Sequence, residues 1–260
     1  VTLTFNNPDK LNCWREEHMA ELEARLREVQ EDDEVKVVIL QGSGKAFSTG
    51  SDLNVEGDQY YGKGRRVYQR FRLRLDQRIA ERERLIRNYT KATIAKVHGY
   101  AIGDAFHLAL ACDIQIAAEG TLFRDPAPLL VGAYSMCHPY YLSKLGPTMY
   151  NEIMLTGRWM SAEELWQRGI IHSVVPQGQL EEETAKWAKT ICAVPSDGLH
   201  IGKRALQLAY DALGQAKGFG IGYMLRSWQY QIRLDPGDLN VFKERAKGGA
   251  DGLIKAIDDR

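Results

Sequence analysis

The sequence predicts an α/β domain with largely parallel strands, followed by a helical C-terminal part. Short β-branched runs alternate with amphipathic segments over the first two-thirds of the 260-residue chain, an alternation typical of parallel sheets. The last third carries apolar residues mainly at helical spacing. With 44% hydrophobic residues, the chain is long and apolar enough to bury one large core.

Five runs of apolar and β-branched residues predict the strands. The strongest is VKVVIL, which Gly42 closes and which is typical of a buried strand. The predicted strands are Val1–Phe5, Val35–Leu40, Ala92–Gly99, Ile114–Ala117 and Ile171–Pro176.

Seven segments predict helices. In the first of them, Met19, Leu22 and Leu26 recur at helical spacing, with charged residues between them. Ser161 followed three residues later by Glu164 forms a capping box at the start of another. The predicted helices cover residues 14–32, 104–112, 148–155, 161–168, 180–193, 196–213 and 218–233.

The stretch from Val55 to Asn88 is highly charged. Its arginines could form a basic patch for phosphates, but Asp76, Glu81 and Glu83 interleave with them. Alternating charges of this kind are typical of an exposed helix face. We therefore expect a solvated helix here.

Composition excludes several classes of partner. Lys plus Arg and Asp plus Glu both number 34, so the formal net charge is zero. This balance gives no general attraction to nucleic acid or to an anionic membrane, and no apolar run reaches the roughly 18 residues of a membrane span. Four cysteines without C-x-x-C spacing predict reduced thiols and a cytoplasmic location. No His-based zinc motif occurs, so we expect no metal site.

Two Gly-containing loops carry the signal for chemistry. GKAFSTGSDL (Gly44 to Leu53) follows the strand VKVVIL, and HGYAIGD (His98 to Asp104) links another strand to a helix start. Small residues after a strand let backbone N–H groups face a ligand, and the first amides of a helix are unpaired. One N–H from each loop, aimed at a single oxygen, would form an oxyanion hole.

The order of these motifs resembles the crotonase superfamily, which comprises the enoyl-CoA hydratases, the enoyl-CoA isomerases and their relatives. The resemblance rests on AFSTGSDL, HGYAIGDAFHLALACD, FRDPAPLLVG and LTGRWMSAEELWQRGIIHSVVP, in that order. It extends from NNPDKLN near the N-terminus to FKERAK near the C-terminus.

The resemblance implies a crotonase-type spiral of ββα turns over residues 1–195 and a helical C-terminal trimerisation region over residues 196–260. It implies homotrimers that often pair into hexamers, an acyl-CoA thioester substrate, and no metal or redox cofactor besides the coenzyme A of the substrate. The thioester oxygen would sit between the N–H groups of Thr49 and Asp104. The other residues that it assigns to substrate binding are Lys10, Leu11, Ala46, Gly50, Ser51, Asp52, Leu53, Ala127 and Phe242.

The sequence departs from the pattern of a hydratase at the catalytic positions. Hydratases of the superfamily carry two glutamates, and here His107 and Ala127 stand at those positions. Asp104 and Ala105 also replace glycines of the second loop. Ordinary hydratase chemistry is therefore not expected, although the scaffold is retained.

His107 and Asp125 form the acid–base pair that we predict in place of the glutamates. His107 lies one helical turn after Asp104, so it shares the face of the oxyanion turn, and an imidazole titrates near neutral pH. Asp125 precedes Pro126, and a proline favours an extended backbone at the residue before it. In an extended segment, the side chains of Asp125 and Ala127 point to the same side, so the carboxylate is aimed toward the position of Ala127. The structural alternatives are a core histidine, a loop-bracing Asp125, an Asp104 that only caps its helix, and a surface or core role for His138.

The predicted function is processing of an acyl-CoA through a thioester enolate held in the oxyanion hole. Hydration, isomerisation and hydrolysis of a C–C bond all remain open as the subsequent step. Aromatic residues near the expected pocket hint at a cyclic or branched acyl group: Phe106, Phe123, Tyr134, Tyr140 and Tyr141. The alternatives are a catalytically inactive acyl-CoA-binding protein on a hydratase scaffold and a structural subunit of a heteromeric complex.

Overall fold

A computed structural model describes residues 1–52, 68–130, 137–229 and 235–239, together with Glu244 and Lys247. The strands are β1 (Thr2–Phe5), β2 (Val37–Gly42), β3 (Ala92–Val97), β4 (Tyr100–Ile102), β5 (Ile114–Ala118), β6 (Leu122–Arg124), β7 (Trp159–Ser161) and β8 (Ser173–Val175). The α-helices are α1 (Glu16–Gln30), α2 (Gln69–Arg87), α3 (Asp104–Ala111), α4 (Ala127–Leu130), α5 (His138–Thr156), α6 (Ala162–Gln167), α7 (Leu180–Cys192), α8 (Ser196–Ala212) and α9 (Gln215–Gln229). Short 3₁₀ turns cover Pro8–Lys10 and Gln177–Gln179.

The main sheet has the order β1-β2-β3-β5-β8, and every pairing in it is parallel. Its central strands are almost wholly buried because their β-branched and small side chains pack on both faces. This arrangement confirms the predicted α/β class with largely parallel strands. A second sheet, β4-β6-β7, pairs β4 with β6 in parallel and β6 with β7 antiparallel.

Helix α3 lies at the centre of the fold. Every residue from Ala105 to Ala111 is buried, including His107. The helix begins where β4 ends, so its N-terminus lies beside the loop that follows β2. The apolar sequence of this segment therefore places a helix inside the core, with one end at the loops expected to bind substrate.

Two predicted helices differ from the structure. The predicted helix over 148–155 is the second half of α5, which starts at His138 and is kinked at Gly146, where φ is 71°. The expectation of a solvated helix before Asn88 is wrong in part. In α2, Arg72, Asp76, Arg82 and Arg87 are buried. Helix α9 covers Asp76 with Arg226 and Ser227, whereas Arg82 pairs with Glu16 of α1 and Arg87 lies over Tyr140 and Tyr210.

The last helices fold back onto the rest of the chain. Helix α7 packs on the main sheet, and α9 packs against α2 and α5. Lys203 of α8 donates to Asp113 at 2.6 Å and so ties α8 to the end of α3. No helix in the described ranges is long and apolar enough to cross a membrane.

Candidate active site

The first Gly-containing loop is hydrogen-bonded to the second. The N–H groups of Phe47 and Ser48 donate to the carbonyls of His98 and Tyr100 at 2.8 and 3.1 Å. The N–H of Ile102 donates back to Ser48 at 3.2 Å. The two loops that the sequence singles out are therefore held side by side, as an oxyanion hole requires.

Gly50 makes this approach possible. Its φ is +76°, and a Cβ there would lie 2.6 Å from the carbonyl oxygen of Ile102 and 3.3 Å from the amide nitrogen of Asp104. An L side chain would be strained by this φ and would clash with the backbone of β4. A residue without a Cβ thus brings the loop next to the first amides of α3.

Thr49 does not offer the donor that the resemblance implies. Its N–H donates to the carbonyl of Leu11 at 3.1 Å, so this amide is already used inside the protein. The physical reason is that residues 11–14 run beside the loop and accept from the amides of Thr49 and Asp52.

The backbone N–H of Ser51 points away from residues 11–14, unlike that of Thr49. Trp14 and Ser51 form a parallel bridge, in which Trp14 N–H donates to Gly50 at 2.9 Å and Asp52 N–H donates to Trp14 at 2.8 Å. The amide of the residue between these two contacts points away from the partner strand. Ser51 N–H therefore points away from Trp14, and its hydroxyl donates to Oδ2 of Asp104 at 2.6 Å.

Asp104 is the first residue of α3, and Gly103 occupies the N-cap position, so Asp104 is not the N-cap. As a first helical residue, Asp104 has no acceptor within the helix for its N–H, and the positive end of the helix dipole lies there. Its carboxylate accepts from Ser51, and Oδ1 lies 3.8 Å from Nη1 of Arg226 on α9. The negative charge at the start of α3 is thus held by a hydroxyl and faces a guanidinium.

His107 and Asp125 form a buried hydrogen-bonded pair. Nε2 of His107 lies 2.8 Å from Oδ2 of Asp125, and the two residues are only 8% and 2% exposed. The second oxygen of Asp125 accepts from the N–H of Ala127 at 3.0 Å. Asp125 therefore both holds the imidazole of His107 and braces its own loop.

The surroundings of His107 favour its protonated form. Burial alone lowers the pKa of His107, but the charge and hydrogen bond of Asp125, with Glu83 and Asp104 nearby, raise that pKa to about 9. Because Nε2 is directed to Asp125, Nδ1 is the nitrogen left for proton transfer. The pair is therefore suited to hold a proton at neutral pH and to release it.

The remaining predicted binding residues are distributed around these loops. Lys10 is exposed at the end of a 3₁₀ turn, Leu11 receives the amide of Thr49, and Ala46 is buried. Asp52 is buried and pairs with Arg15 at 3.0 Å. Ala127 begins α4 beside Asp125. Leu53 and Phe242 lie outside the described residues.

Sequence reasoning placed Glu83 on a solvated helix and Tyr141 among the aromatic residues near the pocket, and it connected neither residue with His107. Tyr141 is buried, stacks edge-on with His107 at 4.5 Å between ring centroids, and donates its hydroxyl hydrogen to Glu83 at 2.6 Å. The sequence contains a signal for Glu83. It lies three or four residues from Ile79 and Ile86 and seven from Asp76, so it falls on the apolar face of its helix and not on the solvent face.

His138 lies close to the pair but is engaged with another residue. Its Nδ1 lies 2.5 Å from the hydroxyl of Tyr150, and burial together with the charge of His107 lowers the pKa of His138. Of the aromatic residues that suggested the acyl group, Phe106 and Phe123 pack against each other in the core. Tyr134 lies outside the described residues.

No three His, Cys, Asp or Glu side chains in the part of the chain that the structure describes are grouped so that they could hold a metal ion.

A family model described as enoyl-CoA hydratase/isomerase matches residues 1–246. The chain belongs to this family. It is 32% identical over 226 residues to the probable enoyl-CoA hydratase echA12 of Mycobacterium bovis, covering 84% of this chain and 79% of that protein. The crystal structure of a probable enoyl-CoA hydratase from Mycobacterium thermoresistibile matches with a TM-score of 0.78 at 32% identity, covering 89% of this chain and 94% of that one.

An enoyl-CoA hydratase/isomerase from Xanthobacter autotrophicus Py2 matches over 100% of this chain and 94% of that one, with a TM-score of 0.86 and 26% identity. These matches confirm the predicted crotonase fold with its C-terminal helices. Membership in the enoyl-CoA hydratase/isomerase family supports an enzymatic role, and the family is consistent with binding of an acyl-CoA.

Proposed function

We propose that the protein is an acyl-CoA enzyme that forms or consumes a thioester enolate. The observation that carries the proposal is the buried His107–Asp125 pair, one turn after Asp104 on helix α3. A positioned proton donor next to backbone N–H groups is what enolate chemistry needs. Coenzyme A enters as part of the substrate, and no further cofactor is invoked.

We place the two donors of the oxyanion hole at Ser51 and Asp104. The bridge to Trp14 supports Ser51, since it turns that amide away from residues 11–14. The position of Asp104 at the first turn of α3 supports the second donor. Each donor of such a hole is worth roughly 3–4 kcal/mol in comparable sites.

The reaction is hydration, isomerisation or hydrolysis of a C–C bond, all of which pass through the same enolate. His107 would deliver or accept the proton at carbon, and Asp125 would hold the imidazole in one orientation. The alternative is an acyl-CoA-binding protein without catalytic activity, which the replacement of the two hydratase glutamates by His107 and Ala127 favours.

We also propose a homotrimer or hexamer. The apolar residues Ile221, Met224 and Trp228 are 58%, 42% and 66% exposed at helical spacing on α9. A face of this kind is typical of a surface that another subunit covers.

Two measurements separate the candidate functions. Calorimetry with coenzyme A, butyryl-CoA and crotonyl-CoA should show binding, and no binding of any of them at millimolar concentration would reject the proposal. Turnover of a panel of unsaturated and β-keto acyl-CoAs, followed by NMR, then distinguishes an enzyme from an inactive binding protein.

A further inference from the structure

Glu83 projects from α2 into a cavity that also reaches the oxyanion turn. The cavity has a volume of about 80 Å³. Its wall near the turn is formed by Ser51, Asp104 and Leu108, and the facing wall by Glu83 with apolar residues of α2. A carboxyl group is therefore present beside the proposed thioester position, on a different element from His107.

Tyr141 can satisfy Glu83 in both of its protonation states. The Tyr141 hydroxyl lies 2.6 Å from Oε1 of Glu83 and 3.2 Å from the carbonyl oxygen of His107. A hydroxyl has one hydrogen, and 2.6 Å suits donation to a carboxylate, for which about 2.5–2.7 Å is usual. When Glu83 gains a proton, its carboxyl O–H can donate to the Tyr141 oxygen. The Tyr141 hydroxyl can then donate to the backbone carbonyl oxygen of His107. Rotation of the Tyr141 hydroxyl hydrogen from Glu83 to this carbonyl thus accommodates the added proton.

The charges around Glu83 are mixed. Burial raises the pKa of Glu83, Asp104 adds to the rise, and His107, Tyr141 and Arg226 oppose it, with a net shift upward. A glutamate whose pKa is moved toward neutrality is a stronger base than an exposed one. Among the described residues, Tyr141 of α5, His107 and Asp104 of α3, and Arg226 of α9 act on Glu83. Cys137, the residue before α5, is also close to it. The charged residues Arg15, Glu16, Asp52 and Arg82 line the same cavity.

We propose that Glu83 is the general base of this site and that Tyr141 is its positioning residue. The proposal deepens the proposed function and rests on it. It supplies the second proton-transfer group that Ala127 lacks. The imidazolium of His107 and the carboxylate of Glu83 would then be an acid and a base of different strength, both in contact with Tyr141.

The proton balance closes for a shift of a double bond. The Cα–H bond of a β,γ-unsaturated thioester breaks, its proton passes to Glu83, and the electron pair enters the enolate. The Nδ1–H bond of His107 then breaks, and its proton forms a C–H bond at Cγ with that electron pair, which restores the thioester carbonyl. Return of the proton from Glu83 to His107 through solvent completes the cycle without another reactant.

A carboxyl titration tests the base without a substrate. In protein labelled with ¹³C at the glutamate carboxyl carbons, one resonance should titrate clearly above the usual value near 4.3. This resonance should be absent in Glu83→Gln and present in Glu81→Gln. Glu81→Gln is a matched control because Glu81 is exposed on the same helix and, among the described residues, its side chain is hydrogen-bonded only to Gln77. Tyr141→Phe should move it to higher pH, since that hydroxyl stabilises the carboxylate. A Glu83 carboxyl resonance that titrates near the usual value of about 4.3 would overturn the proposal.

Exchange of the α-protons of butyryl-CoA in D₂O tests the catalytic role. Glu83→Gln should bind butyryl-CoA within a few-fold of wild type and lose exchange by about 10²–10⁴, whereas Glu81→Gln should not change. The acid limb of the pH–rate profile should disappear in Glu83→Gln and move upward in Tyr141→Phe. Exchange at the wild-type rate in folded Glu83→Gln would reject the role of Glu83 as the base and would leave the proposed function in place. Absence of both binding and exchange in the wild-type protein would instead reject the proposed function.

Discussion

Arg226 on α9 brings Nη1 to 3.8 Å from Oδ1 of Asp104 at the first turn of α3. Nε of the same guanidinium lies 3.2 Å from Oδ1 of Asp76, which is fully buried on α2. A carboxylate beside a developing enolate opposes its negative charge, and a guanidinium next to that carboxylate offsets the repulsion. Helix α9 thereby adjusts the electrostatics of the proposed oxyanion hole.

Arg226→Gln should destabilise the fold and slow enolate formation. Removing one partner of a buried ion pair leaves Asp76 without this countercharge and costs about 3–5 kcal/mol. Urea unfolding measures the stability, and α-proton exchange of butyryl-CoA measures the activity. Lys217→Gln, which removes an exposed charge from the same helix, is the control and should leave both unchanged. Equal stabilities of the two variants would contradict the buried-pair interpretation.

His107→Gln and Asp125→Asn should each reduce kcat by about 10²–10⁴, the usual worth of a positioned proton-transfer group. Because the two side chains act as one unit, the double variant should be hardly slower than either single one. His200→Gln, at an exposed histidine of α8, serves as the control. A folded His107→Gln enzyme with a normal kcat would remove this histidine from the mechanism.

Stability should fall at alkaline pH because of His107. Its pKa is about 9 in the folded protein against 6.5 for a free histidine. The folded state therefore binds the proton more tightly, so the stabilisation is fully present below pH 6.5 and is lost as the pH rises through about 9. The contribution is on the order of 3 kcal/mol. Unfolding free energies across this range should decline for wild type, and His107→Gln should show a flatter profile.

Gly50→Ala should damage both the fold and the site. A positive φ costs an L residue about 1–2 kcal/mol, and the added Cβ would meet the carbonyl of Ile102 at 2.6 Å. Gly198→Ala is the matched comparison, because nothing lies within 4 Å of its Cβ position in α8, and alanine favours helix by up to about 1 kcal/mol. Thermal unfolding should thus move in opposite directions for the two variants.

Trp228→Glu should disrupt self-association. The substitution places a charge in the exposed apolar face of α9 that we propose as a subunit contact. Light scattering should give a trimer or hexamer for wild type and a smaller species for the variant. Lys189→Glu, which changes an exposed charge on α7, should keep the wild-type mass. A monomeric wild-type protein at micromolar concentration would refute the assembly.

The long, strongly patterned elements could be predicted from the sequence, whereas several of the short ones could not. Helix α1 was expected over residues 14–32 and covers Glu16–Gln30, because its apolar stripe alone defines a buried face. Strands β4, β6 and β7 have three residues each, too few to show a period. The first half of α5 was missed because Gly146 and Pro147 inside it are typical of helix breakers.

The site was predictable where local spacing determined it. His107 and Asp125 were expected to act together, and they form a hydrogen bond. The resemblance implied Thr49 as a donor, but a motif match does not reveal which amide a distant segment occupies, and here Leu11 accepts from the Thr49 N–H. Glu83 and Arg226 enter the site only through the packing of α2 and α9, which no single stretch of sequence specifies.

The contact between Arg226 and Asp104 has a consequence for biosynthesis. The loops, α3 and the His107–Asp125 pair are all translated long before α9 leaves the ribosome. Contacts between distant parts of a chain form late, since they require closure of a long loop. A nascent chain that lacks α9 would carry Asp104 without this guanidinium, so the protein should become active only after α9 has been synthesised and has packed.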